Sequence, residues 1–191
     1  MYRSKIEFVQ FSKKLIKEIN SCYDMHKFVM SAFPDMMKTK ILFNVNKKGI
    51  IVQSEIKPDW EKARNYRDYF VSSTIEEMEL NFENDQVLQF SLLANPTKRE
   101  QSGKRRFIRT ENELSEWFVR KSNLGGFALL ELSISPTKKN ISKKKGNEIT
   151  IGSVVFNGKL KVKSVEEFSK TIVEGIGTAK SFGFGLLMVK S

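Results

Sequence analysis

At 191 residues, 40% of them hydrophobic, the chain can build one medium domain or two small ones and is too apolar to be disordered. Its 33 Lys and Arg outnumber 22 Asp and Glu, and the net charge of +11 argues for a polyanionic partner. The single cysteine, Cys22, excludes an internal disulfide, no run approaches the roughly 20 apolar residues of a membrane span, and the opening MYRSKIEFVQF has no apolar core of a signal peptide, so a cytoplasmic protein with no membrane contact is expected.

In chain order, KIEFVQF alternates and predicts a first strand. A helical pattern follows from about Lys13 to Phe33, and Pro34 stops it. ILFNVNKKGIIVQSEI reads as a hairpin turning at Lys47-Lys48-Gly49. PDWEKARNYRDYF is helical in pattern, with Pro58 near its start, and TIEEMELNF supplies a closing strand. The order β-α-β-β-α-β is that of a ferredoxin-like unit.

The same order then recurs. DQVLQFSLLANP is a strand, and ENELSEWFVRKSNLGG a helix ending at a glycine pair. FALLELSISP and GNEITIGSVVFNGKLKVKS are strands, SVEEFSKTIVEGI is a helix opened by a capping box, and FGFGLLMVK is a last strand. The fold class expected is α+β: two tandem ferredoxin-like (RRM-like) βαββαβ domains, residues 1–84 and 85–191, with a short junction near Asn84. Such sheets commonly bind RNA, but the fold hosts many functions.

The only histidine, His26, lies in SCYDMHKFVMSAFP. On a helix, Cys22, Met25, Phe28, Val29, Ala32 and Phe33 share one apolar face, while Tyr23, His26, Lys27 and Met30 fall along its flank. One reading is that His26 packs at the core's edge with one hydrogen bond. The other is proton transfer at a phosphodiester, since imidazole titrates near pH 6.5. A 2′-hydroxyl would attack phosphorus while one group removes its proton and another protonates the leaving 5′-oxygen. Tyr23 would orient the reacting groups, and Lys27 would offset the charge of the pentacoordinate state. One His and one Cys cannot supply a usual zinc ligand set, so neither metal nor cofactor is expected. Cys22 points towards the core in this wheel, which argues against a Cys22–His26 nucleophilic pair.

Positive charge concentrates in two runs, each after a strand and rich in turn formers. NPTKREQSGKRRFIR carries Lys98, Arg99, Lys104, Arg105, Arg106 and Arg109; SPTKKNISKKKGNE carries Lys138, Lys139, Lys143, Lys144 and Lys145. Both are expected to be basic loops or hairpin tips that contact nucleic acid. Near the C-terminus, GIGTAKSFGFG superficially suggests a nucleotide loop. A P-loop fails, because Ala179 and Glu174 stand where its glycines belong and a helix precedes the loop. Two readings remain: a glycine C-cap with a softened strand, or a backbone-lined loop that holds RNA together with Lys180.

YDMHKFVMSAFP, LLANPTKREQSGKRR and EGIGTAKSFGFGLLMV together resemble the CasE family, the CRISPR-associated endoribonucleases of type I-E systems. VQSEIKPDW, GGFALLEL and ITIGSVVFNGKLKV fit the same family, so the resemblance runs over nearly the whole chain. It implies metal-independent cleavage of CRISPR precursor RNA at the base of the repeat stem-loop, leaving a 2′,3′-cyclic phosphate and a 5′-hydroxyl. It also implies retention of the mature crRNA, assembly with other Cascade subunits, and a monomer in isolation. The family's tyrosine and histidine match Tyr23 and His26, with Lys27 as the basic residue that follows. Its glycine-rich loop matches Gly175, Gly177, Gly183 and Gly185, with Lys180 basic in place. Thr178 stands where many members are basic, Ser181 replaces a common alanine and Met25 a common leucine. The rival readings are a catalytically silent module that only binds the repeat RNA, and a general basic nucleic-acid binder.

Overall fold

Strand β1 (Tyr2–Phe8) turns Ser4, Ile6 and Phe8 inward and Lys5 and Glu7 to solvent, as a period of two demands. The computed structural model describes residues 1–9, 12, 13, 15, 21–33, 39–46, 48–64, 69–144 and 147–191; the side chains of 22, 64, 140–144 and 147–149 lie outside that description.

Helix α1 (Cys22–Met30) does not continue the turn at Lys13. Ser21 is extended, with φ −105° and ψ 96°, and its Oγ accepts the Asp24 N–H at 3.3 Å. The helical pattern read from Lys13 to Phe33 is therefore interrupted at Ser21, because a serine hydroxyl satisfies an orphan amide best at a fresh N-cap. Asp24 in the first turn adds a favourable charge at the positive end of the helix.

β2 (Ile41–Asn46) and β3 (Gly49–Ser54) form the expected hairpin, and Asn46 Oδ1 accepts the Lys48 and Gly49 N–H groups at 2.8 and 3.2 Å. After α2 (Trp60–Arg64), β4 (Phe70–Glu77) closes the sheet. It starts four residues before the TIEEMELNF stretch, since Phe70 already pairs with Phe8 across the sheet. Every neighbouring pair is antiparallel in the order β2-β3-β1-β4.

The second sheet is built from β5 (Val87–Ala94), β8 (Phe127–Ile134), β10 (Asn147–Val162) and β11 (Leu187–Lys190), in the order β11-β5-β10-β8. Numbered within each unit, both sheets run 4-1-3-2, so both units are ferredoxin-like. Helices α3 (Glu111–Leu124) and α4 (Val165–Glu174) bury Trp117, Phe118, Phe168 and Ile172 in its core. Two strands outside the four-strand order, β6 (Thr97–Arg99) and β7 (Arg105–Phe107), form a small hairpin, and β9 (Lys138–Lys144) pairs with β10. The last strand is shorter than FGFGLLMVK: Lys180–Phe182 make a 3₁₀ turn, and Gly183 and Gly185, each at φ 86°, cannot lie in an extended ladder.

The chain clusters as two units. One holds residues 1–79, 141–149 and 181–183; the other holds 80–140, 150–180 and 184–191. Each has its own core, around Phe28 and Trp60 in the first and around Phe118 and Phe156 in the second.

Candidate catalytic helix and nucleic-acid interface

The core seats α1. Met25, Phe28 and Val29 are buried, as are Ala32 and Phe33 just beyond the helix end. The Phe28 ring meets Phe8, Trp60, Tyr69 and Phe70 with centroids 6.2 to 6.3 Å apart. That contact fixes the rotation of the helix and so the direction of its other face. Tyr23, His26 and Met30 are half-buried on that flank and Lys27 is exposed. Lys27 Nζ sits 4.4 Å from the centroid of the Tyr23 ring, a cation–π contact at i,i+4. Nδ1 of His26 is enclosed by protein, while the residue as a whole is only half-buried. The side chain of Cys22 lies outside the described residues.

The first basic run is the β6–β7 hairpin, with Lys98 opposite Arg106 and Arg99 opposite Arg105. Lys98 and Arg106 both bind Glu113 of α3, at 2.8 and 3.2 Å, and Arg106 also reaches Glu100 at 3.6 Å. Lys104 is exposed in the turn. The second run forms the β9–β10 hairpin: Lys138 and Lys139 are exposed, and Lys143 and Lys144 lie on β9 with their side chains outside the described residues. Lys145 falls outside them altogether.

The glycine-rich loop is stitched to the end of β5. Thr178 Oγ1 lies 3.0 Å from the Asn95 carbonyl oxygen and 2.9 Å from Asn95 Oδ1, and Asn95 Nδ2 donates to the Gly152 carbonyl at 2.6 Å. Gly175 ends α4, its N–H donating to Thr171 at 2.8 Å. Gly185 donates to the Leu93 carbonyl at 2.8 Å and accepts the Ile176 N–H at 2.9 Å. A Cβ there, at φ 86°, would lie 2.7 Å from the Ile176 oxygen, so this position requires glycine. Gly183 and Gly185 are buried, whereas Gly175, Gly177 and Lys180 are half-buried. The two buried glycines shape the loop from within.

A family model described as CRISPR associated protein matches residues 1–191. The chain belongs to this CRISPR-associated family. The CRISPR-associated endoribonuclease Cse3 of Thermus thermophilus is 27% identical over 212 residues, covering 99% of each chain. A structure of CRISPR endoribonuclease Cse3 bound to a 19-nucleotide RNA superposes with a TM-score of 0.90 at 25% identity, covering all of both chains. The CRISPR-associated protein Cas6e of Escherichia coli K-12 shares the fold, with a TM-score of 0.76 at 22% identity, over 99% of this chain and 98% of that one.

In this CRISPR-associated chain, Tyr23, His26 and Lys27 come together on one helix flank, and among the described residues the cations of the first run divide between those in ion pairs and those in none. Arg120 and Lys121, near the end of α3, were not among the candidate residues read from the sequence. They border a pocket shared with Arg99, Arg105, Gly177 and Thr178. The sequence signal for them was faint: two adjacent cations inside a helical pattern, WFVRKSN, outside both basic runs. Glu113 is held below the usual carboxyl range, first by its bond from Lys98, then by Thr110. A depressed carboxyl stabilises the fold above its unfolded value, and that contribution disappears as pH falls through the folded one. NMR titration should therefore show the Glu113 carboxyl still ionised below pH 4.5, the value of a free one. Glu113→Gln should remove the acid-dependent loosening of the hairpin, and an unchanged acid profile would contradict this pairing.

Proposed function

We infer that this protein is the endoribonuclease that cuts CRISPR precursor RNA at the base of the repeat stem-loop in a type I-E system. What carries the reading is the family match along the whole chain, with an endoribonuclease 27% identical over 99% of its length. The Tyr23–His26–Lys27 flank supports it with suitable chemistry. His26 supplies the half-buried imidazole that exchanges a proton with the RNA. The 2′-hydroxyl forms the new P–O bond, the bond to the 5′-oxygen breaks, and the proton lost from the first is returned to the second. Tyr23 orients the scissile nucleotide, and Lys27, held beside the Tyr23 ring, offsets charge on the phosphorane. Products are a 2′,3′-cyclic phosphate and a 5′-hydroxyl. The basic hairpins then retain the product, and the chain acts in the cytoplasm as a monomer in isolation and as a Cascade subunit in assembly.

Single-turnover incubation with the cognate repeat hairpin in EDTA tests this. Cutting at the stem base with a cyclic phosphate end is the expected result. Tight binding with no cut would favour the silent RNA-binding module, and a magnesium requirement would overturn the proton-transfer mechanism.

A further inference from the structure

Strand β5 ends at Ala94, just before Asn95 and Pro96. Ala94 pairs with Val154 of β10, so two residues on Pro96 would stand opposite Gly152, and a proline has no N–H to give. The side chain of Asn95 fills that gap, its Nδ2 donating to the Gly152 carbonyl at 2.6 Å. A carbonyl only accepts, so the amide has one orientation, and Oδ1 is left for the Thr178 hydroxyl, 2.9 Å away. That hydroxyl also lies 3.0 Å from the Asn95 carbonyl oxygen, and the two backbones form an isolated antiparallel bridge. Gly152 is itself fixed, because the Phe107 ring lies where a Cβ would sit, 2.3 Å from that position. Asn95 is only 8% exposed, so its amide serves the protein and not a ligand.

The chain beyond Thr178 adopts a conformation that alanine rarely takes. Ala179 has φ 61°, in the left-handed region, where an L side chain crowds its own backbone. Such a residue stays there when its surroundings impose it, and strained positions of this kind cluster at functional sites. Here the bonds from Thr178 to Asn95 fix the residue just before Ala179. On the far side of the loop, Gly185 bonded to Leu93 and Ile176 closes it. Lys180 follows Ala179 directly, so the Ala179 backbone sets the direction in which the chain delivers Lys180. We propose that Asn95 is a positioning residue for RNA binding: through Thr178 it holds Ala179 left-handed and so aims Lys180 of the glycine-rich loop at the RNA. The proposal rests on the RNA-processing reading above.

The test uses the full chain and a repeat hairpin blocked against cutting by a 2′-deoxy substitution at the scissile nucleotide. Affinity and melting midpoint are measured for each variant. Thr178→Val keeps the shape and removes the hydroxyl; it should weaken binding roughly tenfold, the scale of one lost buried hydrogen bond. Thr178→Ser, which keeps the hydroxyl, should restore most of the affinity. Asn95→Asp sets a carboxylate oxygen against the Gly152 carbonyl and should weaken binding at least as much; where it fails to fold, Thr178→Val carries the test. The deciding readout is a double-mutant cycle with Lys180→Gln, since a residue that acts through the aim of Lys180 shares its effect. Lys180→Gln should weaken binding severalfold in the wild-type background and hardly at all in Thr178→Val. Full additivity of the two changes would overturn the proposal and leave the Asn95–Thr178 bonds as a brace of the fold. So would wild-type affinity in Thr178→Val, even with a lowered melting midpoint. Should the wild-type chain bind the blocked hairpin and leave the unmodified repeat intact, the endonuclease reading fails by itself, and the cycle still reports on Asn95.

Discussion

His26→Ala should slow single-turnover cleavage of the repeat hairpin by about 10²- to 10⁴-fold, the range supplied by a positioned acid or base. Hairpin affinity should stay near the wild-type value. The reason for this split is positional. His26 sits on a helix whose seat is made by Met25, Phe28 and Val29, so truncating a half-buried flank residue leaves that seat intact. The pH–rate profile gives a second readout. Proton exchange at His26 gives the wild-type profile a limb that the residual rate of the variant lacks. Wild-type cleavage by His26→Ala would remove His26 from the mechanism. Equal loss of binding and cleavage would make it an RNA contact instead of a proton carrier.

Phe28→Ala should have the largest effect on stability, about 3–5 kcal/mol, because a buried phenylalanine truncated in a core leaves a cavity. Phe28 is 1% exposed and touches four aromatic rings. At roughly 4 °C per kcal/mol or more, the melting midpoint of the first unit should fall by at least about 12 °C. Cleavage at low temperature should fall as well, since the helix would lose the contact that sets its rotation. A melting shift of only a few degrees would mean that the neighbouring rings close over the gap and Phe28 is not the seat of the helix.

The order of elements was legible from hydrophobic periodicity, because a buried face imposes its period on the residues that build it. The helix wheel around His26 placed Met25, Phe28 and Val29 inside and Tyr23, His26 and Lys27 on the flank, and those are their places in the fold. Element ends were less legible. Ser21 reads equally well inside a helix or as its cap, and the choice turned on one hydrogen bond to Asp24. Phe70 lay in a helical pattern until its partner Phe8 was known. The glycine-rich ending read as a loop feeding a strand, and its positive φ angles showed how much of it stays out of the ladder.

Charge was the property least accessible from the chain alone. Net charge, the two basic runs and their hairpin character all follow from composition and turn residues. Which cations remain available does not. Lys98 and Arg99 are neighbours in the chain, yet one is bound to Glu113 and the other faces Arg105 across a pocket without a carboxylate. Arg120 and Lys121 join that pocket from a helix with no basic run of its own. Ion pairing depends on distances of a few ångströms, and these are set by strand register and by the packing of α3 against the hairpin, neither of which any local pattern encodes.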